Sequence, residues 1–313
     1  MATTTNVPRS AEATEPDVPQ PRRLRDDTRS ATGFLAPFIV LYALFVIGPA
    51  LYGLVMSFFD TSLVKPGLGK FAGFDNYVEA FQSSDFWHSM WHTVLFTILT
   101  TPPLVILSFI FALLAERASR GRWFFRLAFF APYILPSAVM ALIWIWLYTP
   151  GLGLASAAVQ KVGFTAPGWL GDPHWAMISI AIATVWWTLG FNFVLYLAGL
   201  QDVPRELYEA SALDGASPFR QIMSITVPLL ARTTTLVIVL QIIASLKVFD
   251  QMYIMTAGGP NFSTRPALEY IYDIGFTDFR VGYGAAASTV YFVLLLLVSA
   301  VWFAQTRRAE KGA

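Results

Sequence analysis

The sequence predicts an all-α membrane protein with six transmembrane helices and both termini in the cytoplasm. Three observations carry that expectation. Of 313 residues, 56% are hydrophobic and 13% charged, whereas a water-soluble domain carries roughly 25% charged residues. Six runs are apolar enough to cross a bilayer core, which needs about 20 residues of helix. Aromatics reach 15%, with ten Trp, the residue type that anchors helices at lipid interfaces. A mean hydropathy of +0.56 agrees. The same figures exclude other classes. A soluble enzyme would lack the charge to cover its surface. The absence of cysteine removes disulfides, thiolate zinc sites and Cys nucleophiles. A formal charge of +1 speaks against a nucleic-acid partner, which needs concentrated Lys and Arg.

Residues 1–33 are polar and rich in Pro, Thr and Arg, the composition of a disordered cytoplasmic tail. They lack the short apolar core of a signal peptide. The apolar domain is 34–305, with spans expected at 34–59, 91–115, 124–148, 175–200, 227–249 and 281–305; 306–313 form a second tail. Helix is the only reasonable state for the spans, because an unpaired backbone amide in hydrocarbon costs several kcal/mol. Pro102 and Pro103 in the second span, and Pro132 and Pro136 in the third, predict kinks or broken turns. Fourteen basic residues fall in the tails and the even-numbered loops, against five in the remaining loops. The positive-inside bias therefore places both termini in the cytoplasm of a cell membrane.

The loop 201–226 is the most informative. Pro204 suits a first helical position and Glu206 adds negative charge in that turn. Gly215 is a natural stop, since it accepts the left-handed conformation. Ser217-Pro218 then reads as a fresh cap and first turn. Two short helices joined at Asp214-Gly215 are expected, with small residues Ala210 and Ala212 beside Glu209 on the first. An ordinary helix lying on lipid headgroups fits the same pattern.

Polar residues within spans mark pathways by default, because each is costly in lipid. Thr188, Asn192 and Tyr196 share a helix face, as do Gln241 and Ser245. Interhelical hydrogen bonding is the plainer reading of each; the functional one is a cavity wall binding a sugar or polyol. Lys247 and Asp250 lie three apart, so a structural ion pair is expected. Asp85, His88 and His92 could share a face as metal ligands, but Trp87 and Trp91 alternate with them, which reads as an amphipathic interfacial segment. On the outer side, Pro266 is expected to open a short helix through Tyr272. No phosphate-binding loop is present: Gly69-Lys70 is followed by Phe71 and preceded five positions back by Val64. Energy must then come from elsewhere.

Glu209-Ala210-Ser211, Asp214-Gly215-Ala216 and Ile225-Thr226-Val227-Pro228 together resemble the EAA motif of permease subunits of bacterial ABC importers. Phe249-Asp250 with Tyr253, Thr256, Gly258-Gly259-Pro260 and Thr264 resembles the carbohydrate-uptake branch, the group of the maltose and glycerol-3-phosphate permeases. Gly73-Phe74-Asp75-Asn76-Tyr77 and Ala198-Gly199-Leu200-Gln201 point to the same branch. The likeness covers about 34–305, with Ser211 standing where a second Ala is usual. It implies the type I ABC importer permease fold and the first permease of a pair. The implied partners are a second homologous permease, two copies of a cytoplasmic ATPase that bind the ATP, an extracytoplasmic solute-binding protein and membrane lipid. The chain itself would need no cofactor or metal and would catalyse no reaction. Glu209 would be the charged contact to the ATPase, Ala210 would allow close packing, and Asp214 and Gly215 would set the turn. Gly215→Leu is expected to abolish transport while sparing insertion. Comparison with the maltose branch puts Phe191, Gln241 and Ser245 near a substrate cavity; Asn192 joins them from its face alone. The rival is a secondary transporter, which would carry coupling carboxylates inside the membrane; Asp250 alone qualifies, at an edge.

Overall fold

The structure is a computed structural model and describes residues 27–65, 67–117 and 122–311. Residues 1–26 of the expected tail, Pro66, residues 118–121 with the basic Arg120, and the last two residues lie outside that description. The chain parts into two compact units after Tyr52. In the first, α1 (Asp27–Tyr42) runs through a π-helical turn at Ala43–Ile47 into α2 (Gly48–Met56), whose last four residues are assigned to the second. Residues 27–33 of the expected tail are helical. The apolar run simply draws its polar flank into the same helix.

After α2 the second unit holds a two-stranded antiparallel hairpin, β1 (Phe59–Asp60) against β2 (Lys70–Phe71), with Phe59 opposite Phe71. Next come α3 (Asp75–Gln82) and the 34-residue α4 (Ser84–Arg117). The segment around His88 is therefore the first turns of a spanning helix. No break occurs at Pro102 or Pro103, contrary to one reading of that pair.

The third span is broken. α5 (Arg122–Ile134) and α6 (Ser137–Tyr148) meet at 99° across Leu135-Pro136. Pro136 has no N–H to donate and is extended (φ −56°, ψ 146°), so the helix cannot continue through it. A break at membrane depth frees backbone groups that lipid cannot satisfy. The indole N–H of Trp187 donates to the Leu135 carbonyl at 3.0 Å and supplies the missing partner.

After α7 (Leu154–Lys161) comes α8 (Pro173–Gln201), the central helix, capped by Asp172 accepting from the His174 N–H at 2.8 Å. Then follow α9 (Arg205–Leu213), α10 (Pro218–Gln221), a π-helical turn at Ile222–Thr226, α11 (Val227–Leu229) and α12 (Ala231–Leu246). The fifth span is also bent, by 65° at Leu230, and α12 stops at Leu246 rather than Phe249. α13 (Asp250–Thr256) and α14 (Ala267–Tyr272) form the segment between the last two spans. α15 (Val281–Lys311) is the last, carrying helix beyond the expected end at 305. Among the described residues, four helices are long and apolar enough to span alone, or up to six if each bent pair is one span.

Three buried clusters hold the second unit together. One joins Phe96, Met140, Ile180 and Met252; another Leu104, Phe193, Tyr196 and Val237; the third Phe86, Tyr270, Tyr283 and Tyr291. Lipid is as apolar as these side chains, so close packing rather than water exclusion favours them. Gly190 shows how close that is. A Cβ there would collide with the Phe129 carbonyl and lie 2.7 Å from the Phe130 Cα, so α8 and α5 touch backbone to backbone. At the outer end, both terminal guanidinium nitrogens of Arg280 donate to the Glu79 carboxylate at 2.7 Å, tying α3 to the start of α15. That pair holds the Glu79 carboxyl below the usual range.

Candidate functional site: an elbow joined to a cavity

The loop after α8 folds as two short helices, as its caps and stop signals require. Pro204 sits one residue ahead of the first helical position, at the cap of α9. Asp214 closes α9, with its N–H donating to the Ala210 carbonyl at 3.2 Å. Gly215 takes φ +77°, the left-handed turn that L side chains disfavour. The Ala216 N–H donates back to the Ser211 carbonyl at 2.9 Å, and the Ser217 hydroxyl caps α10 by accepting from the Arg220 N–H at 3.3 Å.

Side chains then brace the elbow. Gln221 Nε2 donates to the Tyr208 carbonyl at 3.1 Å and to Ser211 Oγ at 2.9 Å, while the Tyr208 and Thr226 hydroxyls bond at 2.8 Å. Ser211 therefore has a task that Ala could not perform. Glu209 and Ala210 face outward and exposed; Pro228 is exposed within α11. Leu213 at 90% and Phe219 at 69% exposure project from the same tip. Sequence reading passed over both, because a lone apolar residue in a polar loop carries no periodic signal.

Beyond the elbow, the chain runs through the π-helical turn and α11 into α12, which forms one wall of a cavity of about 360 Å³. α12 contributes Gln241 and Ser245, α4 Phe96 and Thr100, α5 Tyr133, α8 Thr188 and Phe191, and the α12–α13 junction Lys247, Phe249 and Asp250. Phe191 stacks on Tyr133 with centroids 5.3 Å apart. The Ser245 and Thr100 hydroxyls bond at 3.1 Å. Asn192 is not part of the lining: it is fully buried behind it, where its Oδ1 accepts from Gln241 Nε2 at 3.0 Å and aims that amide. Tyr196, on the same face one turn on, packs edge-to-face on Phe109 instead.

The ion pair expected between Lys247 and Asp250 is not formed. α12 ends at Leu246, and Phe249 (φ −148°, ψ −63°) breaks the helix between them, so the three-residue spacing no longer aligns the two side chains. Asp250 Oδ2 accepts from Ser137 at the broken third span at 3.0 Å. Tyr133 and Ser137 reach the site because of the Pro136 break, and that proline was the sole signal for them.

The outer segment is anchored by Arg265, buried between the rings of Phe262 and Tyr270. Asp85 lies 3.7 Å from its guanidinium, and His92 Nδ1 is 3.2 Å from its carbonyl. Those contacts occupy two of the three residues weighed as metal ligands, and no group of three such residues gathers among the described residues. Beside Arg265, Glu269 is 1% exposed, with one carboxyl oxygen unpartnered; burial first, then Asp273, pushes its pKa up to about 8.

A helical bundle with an exposed, braced elbow on one element and a polar-aromatic cavity at the other end of it defines a membrane permease subunit rather than an enzyme. The chain belongs to the family of binding-protein-dependent transport system inner membrane components, whose model matches residues 80–311. It is a multi-pass inner-membrane protein. It is 35% identical over 276 residues to the sulfoquinovosyl glycerol transport system permease protein of Agrobacterium fabrum, covering 88% of this chain and 90% of that one. It is 34% identical over 275 residues to the trehalose/maltose transport system permease protein of Thermococcus litoralis, covering 86% and 90%. The fold matches a bacterial alginate ABC transporter solved in complex with an alginate pentasaccharide-bound periplasmic protein, at TM-score 0.78 and 23% identity over 92% of this chain and 98% of that one.

Proposed function

We propose that the chain is the first permease subunit of an ATP-driven importer of sugars or related polyols. It forms half of the path beside a second homologous permease. Two copies of a cytoplasmic ATPase bind and hydrolyse ATP below it, and an extracytoplasmic binding protein delivers solute from above. The chain binds no cofactor of its own. The sugar and polyol class is carried over from the solutes named for the relatives; amide, hydroxyl and aromatic groups around one cavity suit it.

The mechanism rests on one observation, the braced elbow continuous with the cavity wall. Glu209 and Ala210, with Leu213 and Phe219, form the ATPase contact; Asp214, Gly215 and Ala216 set the angle; Ser211 keeps α9 and α10 at that angle through Gln221. A rigid element transmits a displacement that a flexible loop would absorb. ATP-driven closure of the ATPases moves the elbow, the π-helical turn and Pro228-bearing α11 carry the motion to α12, and Phe191, Gln241 and Ser245 change the side to which they are open. Asn192 keeps Gln241 oriented throughout.

The absence of native cysteine makes the test clean. Glu209→Cys should form a cross-link to single cysteines on the co-expressed ATPase. Labelling of that cysteine only from outside the cell would end the reading. Uptake that collapses with ionophores yet persists without ATP would favour secondary transport instead.

A further inference from the structure

We infer that the outer mouth of the cavity is a stacking site for sugar rings, built from Phe276, Tyr272, Tyr253 and Phe249. The inference rests on the import function proposed above and narrows its substrate class to solutes with a closed ring, setting open-chain polyols aside. The four side chains form an unbroken series. Phe276 stacks on Tyr272 with centroids 5.3 Å apart, Tyr272 meets Tyr253 edge-on at 5.5 Å, and Tyr253 stacks on Phe249 at 5.3 Å. Phe249 also touches Tyr272 at 5.4 Å, which closes the inner three into a cluster. Phe276, Tyr272 and Tyr253 are exposed on the outer segment, whereas Phe249 is half-buried and lines the cavity itself. The series therefore starts on the outer surface and ends in the same wall as the stacked pair Phe191 and Tyr133. The helix break explains the placement. α12 ends before Phe249 and α13 starts after it, so the ring stands at the corner where cavity and outer segment meet. The Phe249 carbonyl accepts from the Tyr253 N–H at 2.9 Å, one turn on, which sets the two rings on one face.

Chemistry then selects the occupant. The face of an aromatic ring is the negative part of its quadrupole, and the C–H groups on one face of a pyranose offer the matching apolar, weakly positive surface. The Tyr253 and Tyr272 phenols can donate to and accept from the sugar hydroxyls. An open-chain polyol has no such face. Steps of 5.3–5.5 Å let a solute pass from ring to ring without losing contact, and several sites of similar strength bind without trapping. Aromatic belts anchor a protein by rings set at the headgroup level; here the rings lie on one another and run into a cavity.

The experiment uses cells that normally carry this importer, deleted for the gene and complemented with wild type, Phe276→Ala, Tyr272→Ala or Tyr272→Phe. Each strain receives one equimolar mixture of ring solutes (maltose, trehalose, sulfoquinovosyl glycerol) and open-chain ones (sorbitol, mannitol, sn-glycerol-3-phosphate). Depletion is followed by mass spectrometry at low and at high supply and normalised to the importer recovered as an assembled complex. Wild type is expected to deplete ring members and to leave open-chain ones at the rate of the deletion strain. Each alanine variant should slow ring depletion by about three- to tenfold at low supply, the size of one ring contact, and by less at high supply. Tyr272→Phe should keep most of the rate, because the ring face survives. Depletion of open-chain members, alone or beside the rings, would overturn the stacking assignment while leaving import intact. So would a full rate in both alanine variants, or a loss that is equal at both supplies or follows the amount of assembled complex, which would make these rings a lipid-interface anchor or a contact of the second permease. No depletion of any member beyond the deletion strain would instead count against the import function itself.

Discussion

Replacing Gly215 tests the elbow most sharply, because the structure separates two costs that usually mix. No atom lies within 4 Å of a Cβ built at Gly215, so the first side-chain carbon placed there meets no steric obstacle. The penalty at the backbone is strain at φ +77°, about 1–2 kcal/mol for an L residue held in the left-handed region and worst for a β-branched one. Against that strain stand the bonds of the elbow, each contributing about 1 kcal/mol net: Ala216 N–H to Ser211, Ser217 to Arg220, and Gln221 to Tyr208 and Ser211. The elbow is therefore weakened rather than destroyed. A shift of 1–2 kcal/mol lowers the correctly angled population by about 5- to 30-fold relative to its alternatives. Gly215→Leu, which the sequence alone led us to expect would abolish transport, and Gly215→Val should therefore only reduce ATP-dependent uptake, by about tenfold, with the valine variant lower. Membrane insertion and expression should be unchanged. Gly215→Asn should retain most uptake, since Asn tolerates the left-handed region. Counterflow-free uptake in proteoliposomes, normalised to inserted protein, gives the ranking. Full activity of Gly215→Val would refute the claim that this turn sets the working geometry.

Three further outcomes follow from the packing. Gly190→Ala drives a methyl into the α5 backbone, so thermal unfolding in detergent should fall by an amount equivalent to about 1–3 kcal/mol, whereas Gly171→Ala, with open space around it, should not. Trp187→Phe removes the donor to the Leu135 carbonyl and should cost about 1–3 kcal/mol in the same melt, with uptake reduced as the α5–α6 corner loosens. Glu269 carries a carboxyl whose folded pKa is raised from 4.5 to about 8. The folded state then binds the proton more tightly than the unfolded one, so stability declines as pH rises through that window. Glu269→Gln should abolish the decline: its melting temperature should exceed that of wild type by more at pH 8 than at pH 5, and a constant difference would contradict the buried acid.

The spans were legible because lipid leaves helix as the only choice for a long apolar run, and the caps and glycine of 201–226 spelled out the elbow residue by residue. The breaks were legible only in part. Pro136 announced a discontinuity, but nothing local distinguishes it from Pro102-Pro103, through which α4 runs on. The difference lies in Trp187, fifty-two positions beyond Leu135 in sequence, whose indole satisfies the opened Leu135 carbonyl. Lys247 and Asp250 were misjudged for the same reason: their spacing is a pair only if the helix continues, and the end of α12 is fixed by contacts across the fold, including the Tyr291 hydroxyl donating to the Leu246 carbonyl. Gln241 and Ser245 stood out as polar groups in an apolar run, but Asn192 looked equivalent to them. Its position behind the wall depends on the rotation of α8 against α12, which no local pattern encodes.

The account stands or falls on motion passing from the elbow to the cavity wall. The direct measurement places a single cysteine at Ser245 in the assembled importer and follows its alkylation from each side of the membrane, with and without ATP. ATP should change the side from which position 245 reacts, and Gly215→Val in the same chain should suppress that change while ATP hydrolysis continues. Alkylation that is identical with and without ATP in the wild-type elbow would contradict it.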